Sequence, residues 1–211
     1  MGRMSGNRYR VKSVGQLLNM REEVLELSER FRDAFGRPEA FGVWFVWGES
    51  GSGKTSFILQ LCKELSQYGK IIYDSFEEGF GLSLRNRIKQ LGVKEVSKRF
   101  MVLDKEPISR VSELLSKRKS AHIAVVDSFQ YAQLTYKQYL AFKELHPKKL
   151  IIFIAPSEGK NPAGMAAKKV RYDASLKIYV EKFRAFSKGR FIGEKGYYDI
   201  WQEEAQKHWG E

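Results

Sequence analysis

The segment Gly48-Glu49-Ser50-Gly51-Ser52-Gly53-Lys54-Thr55 constrains this chain more than any other stretch. It satisfies the spacing G-x-x-x-x-G-K-[ST] at every fixed position. Glycine lets a backbone curl until successive N–H groups point inward, which suits the oxygens of a phosphate. Such a loop has this meaning only between a buried strand and a helix, and both are legible here. Phe41 to Trp47 is an apolar run rich in aromatic and β-branched residues, the pattern of a buried strand. Ser56 to Tyr68 carries Phe57, Ile58, Leu61, Cys62 and Leu65 at helical spacing, and Gly69 ends it. The helix adds its positive N-terminal end to the cradle. Gly48, Glu49, Ser50, Gly51, Ser52, Gly53, Lys54, Thr55 and Ser56 are therefore the expected binding residues for ATP. Lys54 can reach the β- and γ-phosphates, and the Thr55 hydroxyl can ligate Mg²⁺.

The rest of the chain keeps alternating. Strands are expected at Lys70 to Phe76, Phe100 to Leu103, His122 to Asp127 and Leu150 to Ala155, with helices at Val111 to Lys119 and Thr135 to Leu145. Leu176 to Val180, Phe183 to Phe186 and Tyr197 to Trp201 read as closely spaced, partly antiparallel strands. This pattern predicts an α/β fold with a mostly parallel central sheet covered by helices and a β-rich C-terminal end. Residues 1–39 read as a helical lead-in, with one amphipathic helix over 13–35 stopped by Gly36 and Pro38. Residues 40–201 form the expected core and 202–211 a tail.

Composition narrows the function classes. No apolar run approaches the roughly 18 residues of a membrane span, and the N-terminal residues lack a secretory pattern, so the cytoplasm is the expected location. Cys62 is the only cysteine, which excludes an internal disulfide and a cysteine zinc cluster. His122, His146 and His208 show no metal-ligand spacing. The net charge of +12 makes a basic surface that attracts polyanions such as nucleic acid, although many basic proteins bind none.

A second carboxylate for the metal is expected at the end of another strand, and Ile123-Ala124-Val125-Val126 leads into Asp127. Asp127 is followed by Ser128, not by the glutamate that would activate water in AAA+ proteins. An acid for that task is available in Tyr73-Asp74-Ser75-Phe76-Glu77-Glu78, at the end of the second strand. With Asp127-Ser128, this stretch resembles the RecA-like ATPases, in particular the RadA/Sms, KaiC and DnaB-helicase branch. The resemblance spans roughly residues 40–201 and implies a catalytic Glu77, with Glu78 second. It also implies a homo-oligomer, ring or filament, with ATP at subunit interfaces. Ser187-Lys188-Gly189-Arg190-Phe191 is similar to the Lys-x-Arg element that ring-forming members insert into a neighbour's ATP site, so Lys188 and Arg190 are candidate catalytic cations.

Two features depart from that group or extend it. The place of its usual His or Gln sensor holds Pro156 and Ser157, with Ser157 or Gln130 as substitutes. Residues 159–172 read as a mobile cationic loop, and Lys160, Lys168, Lys169 and Arg171 are its candidate DNA contacts. The leading expectation is a Mg-dependent, oligomeric, DNA-associated ATPase of recombination, repair, replication or a mobile element, with room for a protein partner. A small-molecule or nucleoside kinase, with Asp74 as substrate carboxylate and Lys168 to Arg171 as lid, is one alternative. A nucleotide-gated assembly protein with little hydrolysis is the other.

Overall fold

The computed structural model describes residues 11–21 and 23–210. Its elements run α1 (Val14–Leu18), α2 (Glu29–Phe35), β1 (Gly42–Gly48), α3 (Lys54–Leu65), β2 (Ile71–Ser75), α4 (Leu82–Gln90) and β3 (Phe100–Leu103). They continue α5 (Ile108–Ser116), β4 (Ile123–Asp127), α6 (Tyr136–Leu145), β5 (Leu150–Glu158), β6 (Asn161–Pro162), α7 (Met165–Asp173), β7 (Leu176–Glu181), β8 (Arg184–Gly189), β9 (Tyr197–Asp199) and α8 (Gln202–Trp209). The sheet order is β3-β2-β4-β5-β1-β7-β8-β9, with β6 added to the end of β5. From β3 to β7 all pairings are parallel, and β8 and β9 return antiparallel. The fold expected from the alternation is the fold observed.

Parallel strands joined by helices must be covered on both faces, and alternate residues of β1 show how. Trp44 and Val46 join Phe35, Phe57, Leu61 and Ile178 on one face. Val43, Phe45 and Trp47 join Val111, Phe142, Phe153 and Val170 on the other. The first face carries α2 and α3; the second carries α5, α6 and α7. All parallel strands end on one edge, so the loops after β1, β2, β4 and β5 gather there.

Two expectations fail. The helix expected over 13–35 is two short helices separated by extended chain, in which Val24 bridges Glu39. Leu25 and Leu27 are buried and Glu26 is exposed between them, the period of a strand. Val14, Leu17 and Leu18 are exposed, so α1 covers no core among the described residues. The second failure is the loop 159–172. Most of it is α7, because Ala167 and Val170 bury one side of a helix against the sheet. Alanine is the best helix former, and here it signals a helix, not flexibility. The tail also forms α8, with Ala205 buried.

Candidate active site

The Gly-rich loop leaves β1 and enters α3, as the motif requires. Gly51 and Gly53 hold φ of 74° and 100°, values that L side chains resist. Gly48 is required for a different reason: a Cβ there would lie 2.1 Å from the Val180 carbonyl oxygen of β7. The Lys54 ammonium folds back over the loop and donates to the carbonyls of Gly48 (2.9 Å) and Glu49 (2.6 Å). Burial lowers its pKa below the ordinary lysine value, against the opposing pull of Asp127, Glu77 and Glu49.

Across the cleft stand the ends of β2 and β4. Ser75 pairs with Asp127, and the backbone N–H of Phe76 donates to the Asp127 carbonyl at 2.6 Å. The Tyr73 hydroxyl donates to Asp127 Oδ2, holding the carboxylate in place from inside the sheet. Burial raises the Asp127 pKa to about 6; Glu77 and Glu78 push the same way, while the Tyr73 hydroxyl and Lys54 oppose them. The two glutamates after β2 differ. Glu78 is half-buried and ion-paired to Arg87 of α4 at 3.1 Å. Glu77 is exposed and lines the cleft with Lys54, Thr55 and Asp127. The cleft encloses about 590 Å³.

Its lining is polar at Lys54, Thr55, Glu77 and Asp127 and apolar at Phe183, Ile200, Trp201 and Leu91. This apolar end reaches the loop itself, where a Cβ on Gly53 would lie 3.1 Å from the Phe183 ring. Phe183 and Trp201 meet edge-to-face at 5.8 Å. The Phe183 N–H also donates to the Ser52 carbonyl at 3.0 Å, so the β7–β8 turn braces the Gly-rich loop directly. Several buried polar atoms at this edge of the sheet lack partners: Ser52 Oγ, Glu78 Oε2, Ser128 Oγ, Gln130 Oε1 and Ser157 Oγ. Unpaired buried polar groups are costly, and their gathering at one edge is what a polar ligand with its water would satisfy. The donor set of a threonine hydroxyl and a carboxylate also fits a hard cation such as Mg²⁺.

The chain matches no family model and no curated protein. Among solved structures it resembles the flagellar accessory protein FlaH from Methanocaldococcus jannaschii, with a TM-score of 0.60 over 84% of this chain and 92% of that one. The fold is RecA-like. At 17% identity the likeness speaks for architecture alone. With 529 solved chains matching, architecture cannot choose among activities.

The remaining sequence candidates are dispersed by the RecA-like frame. Lys188 sits opposite Lys177 on β7, and Lys177 sits beside Phe45, three residues short of Gly48. At about 3.3 Å per residue, Lys188 lies roughly 10 Å back along the sheet from its own Gly-rich loop. Arg190 follows at that same far edge and is exposed. Neither joins the cleft of its own chain. The basic set also divides. Lys160 and Arg171 line a second cavity, Lys168 is half-buried on α7, and Lys169 turns to the Tyr136 ring at 5.7 Å. Asp74 is fully buried and accepts from the Glu106 N–H at 3.1 Å, so it cannot meet a substrate in the cleft. The sequence reading missed Tyr73 as a partner of Asp127, and it missed Phe183 and Trp201. Tyr73 had a signal: two residues before Ser75, it points to the same face as the strand end.

Proposed function

We propose that this chain hydrolyses ATP with Mg²⁺, in a cleft completed by a second copy of itself. The observation that carries the reading is the convergence of Lys54, Thr55, Asp127 and an unpaired Glu77 on one cleft. In the bound state Lys54 exchanges the loop carbonyls for phosphate oxygens. Thr55 and Asp127 are the residues that would hold Mg²⁺, which would supply positive charge to the phosphates. Phe183 and Trp201 give the apolar end a surface for the base. Glu77 accepts a proton from water as its oxygen attacks the γ-phosphorus; the bond to the bridging oxygen breaks, and ADP and phosphate leave. Glu78 is committed to Arg87 and so is a support for the strand end. Gln130 donates to the Ala163 carbonyl at 2.8 Å, joining the loop after β4 to the turn before α7. That favours Gln130 over Ser157 as the group that transmits the state of the γ-phosphate.

The far-edge position of Lys188 and Arg190 supports action in trans, on a neighbour's phosphates. The burial of Asp74 counts against the kinase reading. Phosphate release and binding of a fluorescent ATP analogue test the proposal together. Glu77→Gln should keep analogue binding and lower turnover by about 10²-fold or more. Lys54→Ala should lose tight binding. Wild-type protein that binds ATP, forms ATP-dependent oligomers and releases no phosphate would replace hydrolysis with nucleotide-gated assembly.

A further inference from the structure

α8 is fixed at both ends to the hairpin of β7 and β8, and a helix of its length reaches roughly 12 Å. At its start, Trp201 meets the Phe183 ring in the phosphate cleft. At its end, Trp209 does not line that cleft. It packs edge-to-face on Phe186 of β8, the ring centres 5.0 Å apart. Its indole N–H donates to the Lys182 carbonyl at 3.3 Å. Its ring also lies 5.6 Å from the buried Arg184 guanidinium, which is ion-paired to Asp199 of β9 at 2.6 Å. Between the two tryptophans Ala205 is buried, so α8 rests on the protein along its length. Lys182 and Phe183 are the turn of the hairpin, and both hold positive φ. Backbone of that kind persists only where its surroundings fix it. The Trp209 bond fastens the turn to the end of α8. The Phe183 N–H fastens it to the Gly-rich loop at Ser52. The Phe183 carbonyl accepts from the Ile200 N–H at 2.8 Å, which fastens it to the chain entering α8. His208, in the last turn of α8, also shares a small cleft of about 180 Å³ with Ser50, Gly51 and Lys182.

We propose that Trp209 is a positioning residue for the nucleotide, acting through the Lys182–Phe183 turn to hold the Gly-rich loop and the Phe183 ring in their binding arrangement. This rests on the reading of the phosphate cleft as an ATP site. A tryptophan that only shielded Arg184 would contribute stability and leave the cleft unchanged. The indole N–H is spent instead on a carbonyl of the turn, one residue from the N–H that braces the loop. By reciprocity, nucleotide in the cleft tightens α8 in turn.

The test is stopped-flow release of the fluorescent ATP analogue from the full chain, paired with amide hydrogen exchange read by NMR. Trp209→Ala should speed release by about three- to tenfold and speed exchange at the Phe183 amide. Trp209→Phe keeps a ring against Phe186 and lacks the N–H. It should release the analogue faster than wild type and more slowly than Trp209→Ala. Bound analogue should slow exchange along α8 in wild type, and by a smaller factor in Trp209→Ala. Urea unfolding confirms that each variant is folded; if Trp209→Ala is not, Trp209→Phe carries the same test. Release at the wild-type rate by a folded variant overturns the proposal. So does faster release with unchanged exchange at Phe183. Wild-type protein that binds no analogue overturns the ATP reading and this inference with it, an outcome distinct from either of those.

Discussion

Asp74 sits inside the sheet with one carboxyl oxygen on the Glu106 N–H and the other, Oδ2, without a partner. Burial pushes its pKa up to about 6, against the smaller opposing pull of that hydrogen bond. The folded state therefore holds the proton more tightly than the unfolded chain, whose aspartates titrate near 3.9. Stability from this group is present below about pH 4, falls as pH rises towards 6, and stays reduced above that. Asp74→Asn keeps the shape and an acceptor for Glu106 but removes the charge. It should raise stability at pH 8 by roughly 1–3 kcal/mol and flatten the pH dependence between about 4 and 6. Chemical denaturation at pH 4.5 and pH 8 measures this; an equal effect at both would mean that the charge is not what Asp74 contributes. Cys62 offers a contrast at the same scale. It is buried in α3, with its thiol pKa raised by burial, and it serves as packing.

At the scale of elements, the β7–β8 hairpin holds the most strain nearest the chemistry. Lys182 and Phe183 are the two central residues of its turn, with φ of 44° and 59° and no glycine or asparagine to ease them. Left-handed backbone at such residues costs on the order of 1–2 kcal/mol each. The same turn gives Phe183 both its bond to Ser52 and its place at the apolar end of the cleft. Lys182→Gly should therefore raise the melting temperature, by the equivalent of about 1 kcal/mol, with ATP affinity retained. Phe183→Ala should weaken binding of the ATP analogue about three- to tenfold with Mg²⁺ dependence unchanged. If both substitutions left affinity and stability where they were, the turn would be a passive connection. The hairpin also marks the limit of what the sequence discloses. The strand before the loop, the helix after it and Asp127 were legible because local pattern and buried packing agree there. The position of Phe183 in the cleft was not, because it depends on a long-range approach of β7 to Gly48 that no local pattern encodes. α7 reads as a loop in the sequence because Gly159 and Gly164 precede it and its alanines suggest freedom, whereas Ala167 and Val170 are its buried side. The break between α1 and α2 was missed because Leu25 and Leu27 fit either period when read within a longer apolar series.

The whole molecule is asymmetric in a way that points outward. One edge of the sheet carries the Gly-rich loop, Asp127 and Glu77, while Lys188 and Arg190 emerge at the other. A residue about 10 Å back along the strands cannot fold over its own loop, but it can meet the loop of a neighbour stacked head-to-tail. In the oligomer proposed above, such heterologous contact would close into a ring or extend as a filament, and each active site would draw its loop from one subunit and its cation from the next. Turnover per subunit should then rise with protein concentration until the oligomer is saturated. Mixing separates this arrangement from a self-sufficient subunit. Lys54→Ala damages only the loop side of an interface, and Arg190→Ala only the opposite side. Each alone should release little phosphate. An equal mixture contains interfaces that take Lys54 from one variant and Arg190 from the other. These make up about a quarter of the total if subunits assemble at random, so activity should recover to about that fraction of wild type. A mixture no more active than the sum of its parts would place Arg190 outside the reaction and confine catalysis to one chain.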